Sequence, residues 1–243
     1  MTHSIILLSG PSIAALESRI AEFSAIDAVY YAINRKQAIE SAILSKIGRK
    51  VQRWVMFSPD EMVSQIDNAR DFLDEAQSQQ LITSQVCIDY VRPRLGREPL
   101  GQDPKIVYAD QWLIDVYRYY FKTRYNEEFE GLKDMKRGAD INTLFMLLYG
   151  LMSSTSGKIY LFGCDGAQSP DQQALYYAQP QHYSAERLGL SRIHADMKCF
   201  EEIWPEYAAH FGWDRSRVLN VNPASHYTVF PRISIDEALA QLR

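Results

Sequence analysis

The feature that most constrains the fold is a recurring unit: a short apolar run, a turn of small or polar residues, then apolar residues at helical spacing. The first unit is Ser4-Ile5-Ile6-Leu7-Leu8-Ser9-Gly10-Pro11-Ser12, followed by Ala14, Leu16, Ile20 and Phe23. The second runs Ala28-Val29-Tyr30-Tyr31-Ala32-Ile33, ends at Asn34-Arg35, and is followed by a helical pattern to about Ile47. The third is Arg53-Trp54-Val55-Met56-Phe57, ending at Ser58-Pro59-Asp60, with Met62, Ile66, Ala69 and Leu73 spaced as one helix face. Three strand–turn–helix units in succession predict an α/β fold: a Rossmann-like, mostly parallel sheet with helices on both faces. Right-handed crossovers bring the strand ends to one edge.

The first turn carries its own chemistry. Gly10 permits a tight turn and close approach of another group to the backbone. Pro11 suits the first turn of a helix, where its missing N–H costs nothing. Ser9 or Ser12 can offer a hydroxyl to the free N–H groups there. Such a turn, at the end of a first parallel strand, is a place for phosphate. The plain alternative is a turn that only joins a strand to a helix.

The repeating pattern breaks over residues 81–137. Gln85 to Asp89 reads as a short strand, residues 92–101 as a Pro/Gly-punctuated loop, and Tyr108 to Arg124 as an aromatic-rich helix. Phe129 to Gly138 reads as polar and mobile. The whole segment is expected as an insertion that covers the strand ends. The pattern returns with a helix through Ile141, Leu144, Phe145, Leu148 and Leu151, then the strand Lys158-Ile159-Tyr160-Leu161-Phe162, ending at Gly163-Cys164-Asp165-Gly166. Residues 166–192 lack periodicity, as an active-site loop does. Pro205 predicts a kink or two segments in the helix over 196–211. Val218-Leu219-Asn220-Val221 is a last strand, and Ser234 caps the terminal helix. Residues 1–243 are expected to form a single domain, with strands near 4–9, 28–33, 53–57, 158–162 and 218–221.

Composition narrows the function classes. A net charge of −4 and the lack of a Lys/Arg run argue against a nucleic-acid partner. The N-terminal apolar run is too short for a membrane span and lacks a basic flank, so no transmembrane segment is expected. Cys87, Cys164 and Cys199 have neither disulfide-framework nor zinc spacing, which suits a reducing cytoplasm. Most tyrosines, clustered at 117–125 and at Tyr176-Tyr177, read as packing residues.

The strand ends, taken in order, resemble a superfamily. The set is Gly10-Pro11-Ser12, Ile33-Asn34, Val55-Met56-Phe57-Ser58-Pro59, Gly138-Ala139-Asp140-Ile141-Asn142-Thr143, Ile159-Tyr160-Leu161-Phe162-Gly163-Cys164-Asp165 and Leu219-Asn220-Val221-Asn222-Pro223-Ala224-Ser225. This is similar to the small bacterial sialyltransferases, the flagellin-modifying motility accessory factors and the hydroxymethylpterin diphosphokinase-like proteins. The similarity spans most of the chain except 81–137.

The resemblance implies roles. Gly10, Pro11 and Ser12 would approach nucleotide phosphates, and Asn34 would contact the donor nucleotide. Ser58 stands where the sialyltransferases carry a second asparagine, Leu8 where they carry a glycine, and Thr143 is what remains of their Thr-Ser-Gly. Asp165 matches the aspartate that closes the strand, and Tyr176 and Tyr177 would hold the leaving phosphate. His182 is the first candidate for the base that deprotonates the acceptor, with His194 the second. A histidine suits that task at neutral pH without perturbation. His3, His210 and His226 are assigned no role.

The implied function is a nucleotide-sugar-dependent glycosyltransferase in surface glycan or glycoprotein synthesis. Its donor would be a CMP-sugar at first guess, its acceptor a glycan or glycoprotein, and it would need no metal. A diphosphokinase-like transfer is the alternative, with Mg²⁺ held near the phosphates by Asp60 and Asp165. A non-catalytic nucleotide-binding relative is the other.

Overall fold

The computed structural model describes residues 2–8, 10–34, 51–58, 62, 63, 69, 79–95, 104–131, 141–166 and 195–243. In chain order, β1 (His3–Leu7) leads into a 3-10 segment (Pro11–Arg19) that continues as α1 (Ile20–Ser24). Then come β2 (Ala28–Ile33), β3 (Arg53–Val55), β4 (Gln80–Thr83), α2 (Gln85–Leu95) and β5 (Ile106–Tyr108). They are followed by α3 (Asp110–Tyr125), α4 (Thr143–Ser154) and β6 (Ile159–Phe162). A π-helical stretch (Lys198–Ile203), α5 (Trp204–His210), β7 (Val218–Asn220) and α6 (Ile235–Leu242) complete the chain.

Every strand pairs in parallel with its neighbours within its own unit, and with the intervening helices the strands make an α/β, Rossmann-like fold. The chain divides into two compact units, Met1–Val51 with Ser156–Arg243, and Gln52–Thr155.

The first unit holds four strands in the order β2-β1-β6-β7. Leu7 pairs with both Ala32 and Phe162, and Leu161 pairs with Asn220, so the C-terminal strand ends lie along one edge. Ile5, Ile6, Leu7, Ile159, Tyr160 and Leu161 are fully buried. That explains why these strands read as unbroken apolar runs rather than alternating ones. Chain order reverses across this sheet. The connection after β1 leads to β2 on one side, whereas β6 lies on the other. The β1/β6 boundary is therefore a topological switch point, where open α/β sheets leave a crevice.

At Pro205 the helix takes the expected two-segment form, a π-helical stretch running directly into α5. The six residues before α5 are π-helical, and the Trp204 N–H bonds the Cys199 carbonyl five residues back. Proline has no N–H for the carbonyl four residues back and its ring crowds that carbonyl, so a wider turn relieves both. Ser234 caps α6 in a reciprocal capping box with Glu237, and Ala238, Leu239 and Leu242 bury its apolar face.

The second unit holds β3, β4 and β5 in the order β5-β4-β3. Here the structure departs from expectation. Residues 81–137, expected as a covering insertion, supply two sheet strands and two helices. The stretch from Gln85 to Asp89, expected as a strand, is the start of α2, and α2 continues through Pro93 in the expected loop. In β4 only Leu81 and Ile82 form an apolar run, between Gln80 and Thr83, and β5 ends at Tyr108, two residues before α3 begins, so neither stands out as a strand of its own. Ser84 and Asp110, not hydrophobic spacing, fix the start of α2. The Ser84 hydroxyl accepts from the Cys87 N–H, and both Asp110 oxygens accept from the Gln85 N–H at 3.0 Å. The expected helix over 108–124 is α3, and its Tyr117, Tyr120 and Phe121 are buried. Asn142 caps α4, whose residues 144–152 are all buried.

Candidate functional site

At the switch point the first turn meets the end of β6. The Leu8 N–H bonds the Phe162 carbonyl at 2.8 Å, and the Gly10 N–H bonds the Gly163 carbonyl at 3.0 Å. The two chains run so close that neither glycine has room for a side chain. A Cβ on Gly10 would lie 2.5 Å from both Asp165 Oδ2 and the Gly163 carbonyl oxygen. A Cβ on Gly163, which adopts φ +73°, would lie 2.6 Å from the Leu8 carbonyl oxygen. The group that approaches Gly10 is thus the Asp165 carboxylate.

That carboxylate organises three segments. Its Oδ2 accepts from the Ser12 backbone N–H at 2.8 Å, and its Oδ1 from the Ser12 hydroxyl and from Asn222 Nδ2, the latter at 2.7 Å. Pro11 opens the 3-10 segment as expected; Ser9 lies outside the described residues, and Ser12 does not cap the turn. The Ser12 hydroxyl donates to Asp165, and Asp165 caps the Ser12 N–H from 153 residues away. A negative group at the open N-terminus of a helical segment is favourable.

The loop after β7 closes the other side. Asn220 is fully buried, and its Nδ2 donates to the Cys164 carbonyl and to Ser225 Oγ at 2.8 and 2.9 Å. Ser225 Oγ donates to the Cys164 carbonyl at 2.8 Å and accepts from the Tyr227 N–H at 3.1 Å. Arg232 donates to the Ser225 carbonyl at 2.9 Å. The His226 N–H donates to the Asp165 carbonyl at 2.7 Å. Below the loop, Phe200 packs against Tyr227 and Phe230, and the Glu201 carboxylate accepts from the Thr228 and Val229 N–H groups. Burial pushes the Cys164 thiol far up, with the charges of Asp165 and Asp196 adding to it, so this sulfur is a packed group rather than a nucleophile.

The structure brings Gly10, Ser12 and Asp165 into direct contact and sets Pro11 between them. Asn34 follows β2 on the same edge, half-buried and left-handed at φ 56°, a conformation asparagine tolerates. Ser58 and Thr143 belong to the second unit. Ser58 follows β3, and its carbonyl accepts from the Met62 N–H at 2.9 Å. Thr143 is the first residue of α4, but the cap is Asn142, whose side chain accepts from the Phe145 N–H at 3.0 Å. His182, His194, Tyr176, Tyr177 and Asp60 lie outside the described residues, as does the expected loop 166–192 except Gly166. Asn222, Ser225 and His226 are the residues that the sequence reading left without a role. Their signal was the Asn-Pro-x-Ser turn directly after a strand.

Comparison with protein-family models, curated proteins and solved structures returns no match to this chain. Among the described residues no helix is long and apolar enough to cross a membrane.

Proposed function

We propose that the chain binds a nucleotide-sugar donor at the β1/β6 switch point and transfers its sugar to a hydroxyl of a glycan or glycoprotein. The observation that carries this is the bond of Ser12 to Asp165 across that boundary. It fixes a half-exposed carboxylate, a serine hydroxyl and the Asn222 amide where ligands of parallel α/β sheets sit. Fold position alone does not select a reaction. The sugar-transfer chemistry rests on the resemblance of the strand-end motifs. In this reading Asn34 and Asp165 orient the donor, and Tyr176 or Tyr177 meets the leaving phosphate. A CMP-sugar is the first donor to try. The buried free thiols of Cys87, Cys164 and Cys199 suit the reducing cytoplasm.

Thermal-shift measurements with CMP, UDP, GDP and ATP, each with and without Mg²⁺, test the first half. One nucleotide should raise the melting temperature by linkage. Hydrolysis of the matching nucleotide sugar tests the second half and should be unaffected by EDTA. Loss of activity in EDTA that Mg²⁺ restores would instead favour diphosphate transfer.

A further inference from the structure

The loop after β7 carries a histidine to the switch point. His226 follows Ser225, whose hydroxyl is tied to Cys164 and Asn220, and precedes Tyr227, whose N–H is tied back to Ser225 Oγ. Its own N–H is bonded to the Asp165 carbonyl at 2.7 Å. The backbone of His226 is therefore held on both sides and at its centre. Its side chain starts beside the turn after β6: a Cβ built on Gly166, which adopts φ +68°, would lie 3.3 Å from the His226 Cβ. The residue is half-buried, and its imidazole makes no hydrogen bond to the described residues. The other described histidines are elsewhere. His3 begins β1 at the far edge of the sheet, and His210 ends α5 with its ring edge-on to Phe211.

We propose that His226 is the general base of the transfer. This assignment rests on the nucleotide-sugar reading and moves the base from the loop of His182 and His194 to the β7 loop. In the step, a neutral imidazole nitrogen of His226 takes the proton of the acceptor hydroxyl. The acceptor oxygen forms its bond to the anomeric carbon of the donor. The bond from that carbon to the phosphate oxygen breaks, and its electron pair leaves on the nucleotide phosphate. The imidazolium then releases its proton to water. The Asp165 carbonyl, bonded to the His226 N–H, holds the imidazole's point of attachment beside the turn after β6. Arg232, bonded to the Ser225 carbonyl, and Glu201, bonded to Thr228, are the other charges tied to this loop. A pinned backbone suits a general base, because rate depends on holding the group in place before reaction.

The test compares wild type, His226→Gln and His226→Ala in nucleotide-sugar hydrolysis and in nucleotide binding by calorimetry. Every variant keeps the backbone N–H that bonds Asp165, so folding should be retained, and melting curves check it. The expected result is a fall in kcat of about 10²–10⁴ with nucleotide Kd within about twofold. Added imidazole should restore part of the activity of His226→Ala, which a merely structural role would not allow. As a second readout on the intact protein, the His226 imidazole C–H resonance should shift when nucleotide binds. Bound nucleotide and wild-type turnover that ignore both substitutions would overturn the assignment and return the base to His182 or His194. A wild-type protein that binds no nucleotide would overturn the nucleotide-sugar reading as well.

Discussion

The two units use the same joint at their strand ends, in different surroundings. In the first, Asp165 after β6 caps the Ser12 N–H after the adjacent strand β1. In the second, Asp110 after β5 caps the Gln85 N–H after the adjacent strand β4. In each case a carboxylate from one βα turn satisfies the open N-terminus of its neighbour, which locks the two turns together. Among the described residues little else gathers around Asp110. Thr83, Ser84 and Cys87 are fully buried, and the Ser84 hydroxyl completes the cap of α2. Around Asp165 gather Ser12 Oγ, Asn222, two glycines in close backbone approach and the His226 loop, with the carboxylate half-exposed. A capping aspartate is therefore not a functional signal by itself. The convergence of further polar groups at a switch point is what separates the first joint from the second.

The largest expected effect is Gly163→Ala. The new methyl would meet a backbone oxygen that cannot rotate away, in a left-handed conformation, and should cost roughly 3 kcal/mol. Urea unfolding should show the lower midpoint at an unchanged slope. Among the described residues no glycine holds the Asp110 joint, so a loss that small-residue substitutions near Gln85 matched would erase the contrast.

Next come the aspartates. Asp165→Ala leaves the Ser12 N–H, the Ser12 hydroxyl and the Asn222 amide without their acceptor, and should cost about 2 kcal/mol after water replaces part of it. Asp110→Ala removes one cap contact and should cost about 1 kcal/mol. Only the Asp165 variant should weaken nucleotide binding, and calorimetry on both reads that difference. Ser12→Ala deletes one hydroxyl bond and should cost about 1 kcal/mol or less.

The smallest effect concerns thiols. Burial pushes both Cys87 and Cys164 up, so little thiolate is present near pH 8 and labelling waits for local opening. Nucleotide should slow labelling of Cys164, directly before Asp165, and leave Cys87 unchanged. Mass spectrometry of labelled peptides distinguishes the two.

Much of the first unit was legible in sequence. β1, β2, β6 and β7 are long or apolar enough to stand out, and Pro205 and Ser234 act through local rules that need no tertiary knowledge. β4 and β5 were not legible: β4 has only Leu81 and Ile82 between Gln80 and Thr83, and Tyr108 of β5 runs almost directly into the aromatic helix α3 and reads as its start. Gly10 was legible as a point of close approach, but the approaching group was not. Asp165 lies 153 residues from Ser12, and no local pattern predicts that bond. His226 looked ordinary for the same reason. Its place depends on β7 lying beside β6 and on a backbone bond to Asp165.

The most direct test of the β1/β6 site is a map of backbone amide shifts in isotopically labelled protein on addition of the nucleotide that stabilises it most. Gly10, Ser12, Asn34, Asp165, Gly166 and His226 should shift, while Gln85, Cys87 and Asp110 stay in place. Shifts confined to the Gln85–Asp110 joint, or none with any nucleotide of the panel, would contradict a nucleotide site at the β1/β6 boundary.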